Sequence, residues 1–241
     1  MSIKLRPGLD ALTILMERIP HSMVLNIAAL VISVPLGILA GSLAAVFKNK
    51  LPDYAISVLV IICISVPSFV FATTLQYFLS GKLGWFPAIY DVKGALGPKM
   101  HSLVLPILAL SFSPIATITR YLRGELIETL SSEYMLLART KGLKKSQAVI
   151  RHAFRNSMVP LANIIIPMFT NIMGGSLVVE TLFSVPGIGG IMKDAINASD
   201  YSLALGAMLF YSFISVATIF IVDISYGIID PRIRLGAKKS G

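Results

Sequence analysis

Residues 22–47 read SMVLNIAALVISVPLGILAGSLAAVF, 26 residues without a charge. As a helix this stretch rises about 39 Å, more than the roughly 30 Å of hydrocarbon in a bilayer. Four more apolar stretches follow, at 54–80, 101–119, 158–179 and 203–226, the last with one acid, Asp223, near its end. Their length favours helices over barrel strands, which need only about 10 residues and alternate apolar with polar. Composition agrees. Of 241 residues, 55% are apolar and 14% charged, and the mean hydropathy is +0.79. A soluble domain is roughly 25% charged. Disorder is excluded because it needs low hydrophobicity, and a disulfide scaffold because Cys63 is the only cysteine. The expectation is an all-α polytopic membrane bundle of five transmembrane helices, forming a single domain over 1–241.

The flanks add orientation. Residues 1–21 carry Lys4, Arg6, Asp10, Glu17 and Arg18 and lack the apolar core of a signal peptide. Leu9, Leu12, Leu15, Met16 and Ile19 recur at helical spacing, which suggests an amphipathic segment on the extracytoplasmic surface. Grouped by side of the membrane, fourteen Lys and Arg fall in the loops 48–50, 120–155 and 232–239, and seven fall in the others. The richer side is expected to be cytoplasmic, with the C-terminus inside and the N-terminus outside. The formal charge of +9 is then a membrane-sidedness signal and calls for no nucleic acid.

Pro35, Pro67, Pro106, Pro114, Pro160 and Pro167 lie in or beside the spans, where proline kinks a helix. Gly37 and Gly41 have the small-xxx-small spacing that lets helices approach closely. Asn26, Gln76, Asn163 and Asn171 are polar within spans; they fit a wet pathway or interhelical hydrogen bonds. Glu180 and Asp223, near span ends, fit either a pathway or a structural pairing.

The segment 120–157 is far longer than a helix connection needs. Leu126, Ile127, Leu130, Tyr134, Leu137 and Ala138 form an apolar stripe, a break follows at Gly142, and Ser146 can cap a second short helix. Two readings fit this pattern equally: a docking surface for a partner, or a helix pair resting on lipid headgroups.

The run from Glu133 through Ala138, Arg139, Lys141 and Gly142, followed by Arg151, His152, Arg155 and Asn156, resembles the cytoplasmic EAA loop of ABC importer permeases. More narrowly it is similar to the dipeptide/oligopeptide/nickel branch. The motifs at 83–87, 180–189, 200–201 and 230–234 agree, in the same order, and the stretch from Asn197 to Asp223 resembles the B-type permease. Where the general pattern asks for Ile-x-Leu-Pro, this chain has His152-Ala-Phe-Arg155, as the peptide branch does. The likeness covers about residues 5–236. B-type members carry a further N-terminal span, and the likeness places residue 1 in the external stretch after it.

The resemblance implies the type I ABC importer permease fold in a bacterial-type plasma membrane. It implies a C-type second permease, two P-loop ATPases that bind ATP and Mg, an extracytoplasmic binding protein and a peptide substrate, with a nickel chelate as the alternative. The EAA loop would seat on an ATPase through Glu133, Ala138, Arg139, Lys141, Gly142, Arg151, His152, Arg155 and Asn156. The loop 181–201 would lie outside, its Gly187–Gly190 run serving as a turn. The chain itself has no G-x-x-x-x-G-K-[ST] motif. Its histidines, His21, His101 and His152, have no metal-ligand spacing. Neither catalysis nor a resident metal or cofactor is expected. An ion-coupled transporter would call for acids at mid-span and inverted repeats, and a sensor without transport would use the 120–157 segment as a signalling dock.

Overall fold

The computed structural model describes residues 2–133, 135, 147, 149–170 and 176–229. These are mostly helical and contain no strand. Helix α1 spans Ala11–Val46, α2 Leu51–Ser65 and α3 Ser68–Leu75, which runs on into a π-helical turn, Gln76–Lys82. Helix α4 spans Leu96–Leu130. A π-helical turn, Val149–Phe154, leads into α5, Arg155–Thr170. Then come α6, Leu177–Leu182, α7, Ile188–Asn197, and α8, Tyr201–Ile229.

Among the described residues, Ala11–Val46, Leu96–Leu130 and Tyr201–Ser225 are long and apolar enough to cross a membrane. The expected span 54–80 is instead a broken pair, α2 and α3 with its π turn, bent by 102°. Pro67 is the cause: it lacks an amide hydrogen, sits at the N-cap of α3 with ψ 142°, and disfavours helical backbone at Val66 before it. Of the expected span 158–179, residues 158–170 lie in α5, whose 16 residues are fewer than a full crossing needs, and 177–179 open α6; positions 171–175 lie outside the described residues. Of the segment 1–21, expected as a separate amphipathic surface element, residues 11–21 are the first part of α1.

The chain divides into two compact units. The first comprises Met1–Ile32, Val66–Phe112 and Phe169–Ile219. One of its cores joins Leu25 and Ala29 of α1, Ala72 of α3, Leu103, Leu105 and Ile107 of α4, and Val179 and Phe183. Its other core joins Ile14, Leu15 and Ile19 of α1, Ile188 and Ile191 of α7, and Leu203 and Ala207 of α8.

The second unit comprises Ser33–Ser65, Ser113–Met168 and Phe220–Gly241. Here the small-xxx-small spacing of α1 has its expected consequence. A Cβ on Gly37 would stand 2.7 Å from the Ile118 Cβ, and one on Gly41 2.9 Å from the Thr119 carbonyl. Thr119 Oγ1 donates to the Gly37 carbonyl at 3.3 Å. Only residues without side chains let α1 approach α4 this closely.

Candidate functional site

The segment 120–157, expected to be a loop that docks a partner, begins inside α4, which continues as helix to Leu130. Its described apolar residues are drawn inward: Leu126 and Met135 are buried with Ala153 and Leu161, and Ile127 and Leu130 pack against them. This part of the stripe covers the core of its own unit. The Thr129 and Ser157 hydroxyls stand 3.2 Å apart and tie the start of the segment to its return in α5. Glu133, Arg155 and Asn156 are exposed on the two flanks. Arg151 and His152 lie in the π-helical turn that feeds α5. Ala138, Arg139, Lys141 and Gly142 lie outside the described residues, as does Asn171, whereas Asn163 is half-buried in α5.

Three buried carboxylates organise the rest, and each is satisfied. Glu180, on α6, has no exposed surface. Its Oε1 accepts the Ser22 hydroxyl at 2.7 Å and the Ser176 amide at 3.1 Å. Its Oε2 accepts the Gly189 amide at 2.8 Å. Ser22 Oγ in turn accepts the Ile188 amide at 3.0 Å. Together the two side chains cap α7, whose first amides have no partner within the helix. A Cβ on Gly187 would overlap both the Glu180 carboxyl and the Ser22 hydroxyl, so this turn has no room for a side chain. Burial pushes the Glu180 carboxyl above its ordinary value, against the hydrogen bonds from Ser22, Ser176, Gly189 and Gly190 that pull it down.

Asp200 gathers the N-terminal segment. It accepts the Ser2 hydroxyl at 2.6 Å, the Lys4 amide at 2.9 Å and the Leu5 amide at 3.1 Å, and the Ile3 amide reaches both its oxygens. It also accepts the Leu203 amide at 3.3 Å in the first turn of α8. The Ser2 hydroxyl and these amides hold its carboxyl well below the usual carboxylate range, outweighing burial.

Asp53, at 1% exposure, forms the third anchor. Arg123 of α4 meets it with two parallel contacts, Nε–Oδ1 at 2.5 Å and Nη2–Oδ2 at 2.9 Å. Asp53 Oδ2 also accepts the Asn49 amide at 2.9 Å, and Asn49 has the left-handed φ of 61°. The carboxylate therefore fixes both the α1–α2 turn and the approach of α2 to α4.

The Asp53–Arg123 pair leaves no local pattern in the sequence, because the two residues are 70 apart. The Lys48-Asn49-Lys50 turn ahead of Asp53 was the available hint. Asp200 was noted only as part of a motif. Two of the polar span residues bond to backbone carbonyls: Asn26 Nδ2 donates to Ser22 at 2.8 Å and Gln76 Nε2 to Ala88 at 2.7 Å. Asp223 is exposed on α8. Among the described residues no three His, Cys, Asp or Glu side chains are grouped to hold a metal ion.

Long apolar helices joined by short elements define a polytopic helical membrane protein. The chain belongs to the family of binding-protein-dependent transport system inner membrane components, whose model matches residues 33–235. It is 40% identical over 224 residues to the dipeptide transport system permease protein DppB of Lactococcus lactis, covering 93% of this chain and 72% of that one. It is 36% identical over 215 residues to the oligopeptide transport system permease protein OppB of Haemophilus influenzae, covering 89% and 69%. In fold it is similar to a chain of the MetNI methionine ABC transporter in an inward-facing conformation, with a TM-score of 0.72 over 90% of this chain and 97% of that one, at 15% identity.

Proposed function

We propose that this chain is the B-type permease of an ATP-driven importer of dipeptides or oligopeptides, and lines half of the translocation pathway. The observation that carries the proposal is its 40% identity to a dipeptide permease over 93% of its length. The partners would be a C-type permease, two P-loop ATPases binding ATP and Mg, and an extracytoplasmic binding protein that selects the peptide. The permease itself performs no chemistry. It sits in a bacterial-type plasma membrane with its N-terminus outside and its C-terminus in the cytoplasm.

In this reading residues 138–142 and the following turn seat on an ATPase. Arg139, Lys141, Arg151 and Arg155 pair with acids there, and Glu133, His152 and Asn156 frame the contact. Gly142 supplies a turn that residues with a Cβ resist. Closure of the ATPases on ATP pushes this segment and, through α4 and α5, opens the pathway outward.

A mild-detergent pull-down from native membranes tests the assembly. The expected co-purifying proteins are two P-loop ATPases and a second permease. Recovery of the chain alone, from membranes that contain those subunits, contradicts the proposal. Gly142→Trp tests the dock: the chain should insert and lose ATP-driven uptake, whereas normal uptake would move the dock elsewhere.

A further inference from the structure

Within the second unit, α4 has two neighbours held in opposite ways. Against α1 it packs without space, at Gly37 and Gly41. Against α2 a cavity of about 190 Å³ is lined by Ile56, Ser57, Val60 and Ile61 on one side and Thr119, Arg120 and Arg123 on the other. Helix surfaces separated by a cavity make too few close contacts to define a register by packing alone. The Asp53–Arg123 fork is directional. Two parallel charge-assisted bonds set distance, height and rotation together. Asp53 also accepts the Asn49 amide, so the same carboxylate carries the α1–α2 turn. Arg123 lies two turns before the end of α4, where the proposed ATPase-docking segment begins.

We infer that Asp53 and Arg123 are positioning residues of the transport cycle: their fork fixes α2 to α4 across a loosely packed contact, so that movement of α4 is passed to α2 and to the α1–α2 turn. This rests on the ABC-permease reading. A pair that served only stability would be replaceable by apolar side chains of similar size, since burying an ion pair costs about as much desolvation as its attraction returns. Transmission needs the fork itself.

The test uses the full complex in proteoliposomes with the binding protein. Labelled di- and trialanine are the transported probes, and ATP hydrolysis is followed in parallel. Asp53→Leu/Arg123→Met keeps the packing and removes both charges. Arg123→Lys keeps the charge and loses the fork. Both complexes should assemble and hydrolyse ATP. Uptake per ATP should fall at least fivefold in the apolar pair and two- to threefold in the Lys variant. Stimulation of hydrolysis by the binding protein should weaken in the same order, a readout independent of which peptide is carried. An unchanged ratio and unchanged stimulation in either assembled variant overturns the inference. A wild-type complex without ATP-driven uptake counts instead against the transport reading, and is seen before any variant is compared.

Discussion

The two units bury their carboxylates under different regimes. In the first, Glu180 and Asp200 are held by hydroxyls and backbone amides, and their partners are the elements they cap or clasp: α7 for Glu180, the N-terminal segment and α8 for Asp200. In the second, Asp53 on α2 is held chiefly by Arg123 of α4, with the Asn49 amide as a lesser partner. A carboxylate bonded to amides cannot let go without a loop losing its shape. A carboxylate bonded to a side chain can be displaced while both helices stay folded. The first arrangement builds fixed ends, and the second builds a joint between long rods.

The largest expected effect lies among the fixed ends. Glu180→Leu leaves the Ser22 hydroxyl and the Ser176 and Gly189 amides without their acceptor, at a position where Glu180 and Ser22 have no exposed surface. Each such loss costs about 1–3 kcal/mol, so a destabilisation of about 3 kcal/mol or more is expected in thermal unfolding of the detergent-solubilised chain. A melting temperature within a degree of wild type would erase the distinction between the units. The sign of the pH effect follows from the raised carboxyl. The folded chain keeps this proton above pH 4.5, the ordinary value at which the unfolded chain releases it. Stability from this site therefore falls as pH rises from there through the higher folded value, and Glu180→Gln should remove that slope.

Asp53→Asn comes next. Breaking a buried pair costs about 3–5 kcal/mol, and the one-third exposure of Arg123 reduces this to about 2 kcal/mol. The same unfolding measurement should also show both long helices retained by circular dichroism. Loss of helix there would make Asp53 a fixed end like Glu180.

Gly37→Val should cost about 1–3 kcal/mol by overpacking α1 against α4. Gly124→Ala, in α4 where a Cβ meets nothing within 4 Å, should stabilise by about 0.5–1 kcal/mol. Equal effects at the two glycines would remove the close α1–α4 contact from the account.

The smallest effect is at Asp200. Its carboxyl is lowered, so the clasp is complete above the ordinary aspartate pKa of 3.8 and is lost as pH falls through the lower folded value. Hydrogen exchange at Lys4 and Leu5 should rise only in that acid range. Exchange that is already fast at pH 7 would mean Asp200 does not hold the segment.

The helical membrane class was legible in the residues themselves, because 26 uncharged positions at 22–47 admit few other structures. So was the close contact at Gly37 and Gly41, since it follows from the spacing of two small residues. The break at Pro67 was half legible: proline marks a kink, but its size depends on what α3 packs against. The buried anchors were not legible. Glu180 meets Ser22, and Asp53 meets Arg123, across 158 and 70 residues, and such pairings are fixed by packing. The apolar stripe from Leu126 was expected to face a partner or lipid headgroups. Its described members Leu126, Ile127 and Leu130 pack instead with Ala153 and Leu161 of their own unit, a pairing set by packing and not by local pattern.

The most direct test of the central claim is uptake of a labelled peptide by cells with and without this chain, with ATP held constant while a protonophore collapses the proton gradient. The account predicts uptake that vanishes without the chain, returns with it and survives the protonophore. Uptake indifferent to the chain, or abolished by the protonophore at constant ATP, would contradict it.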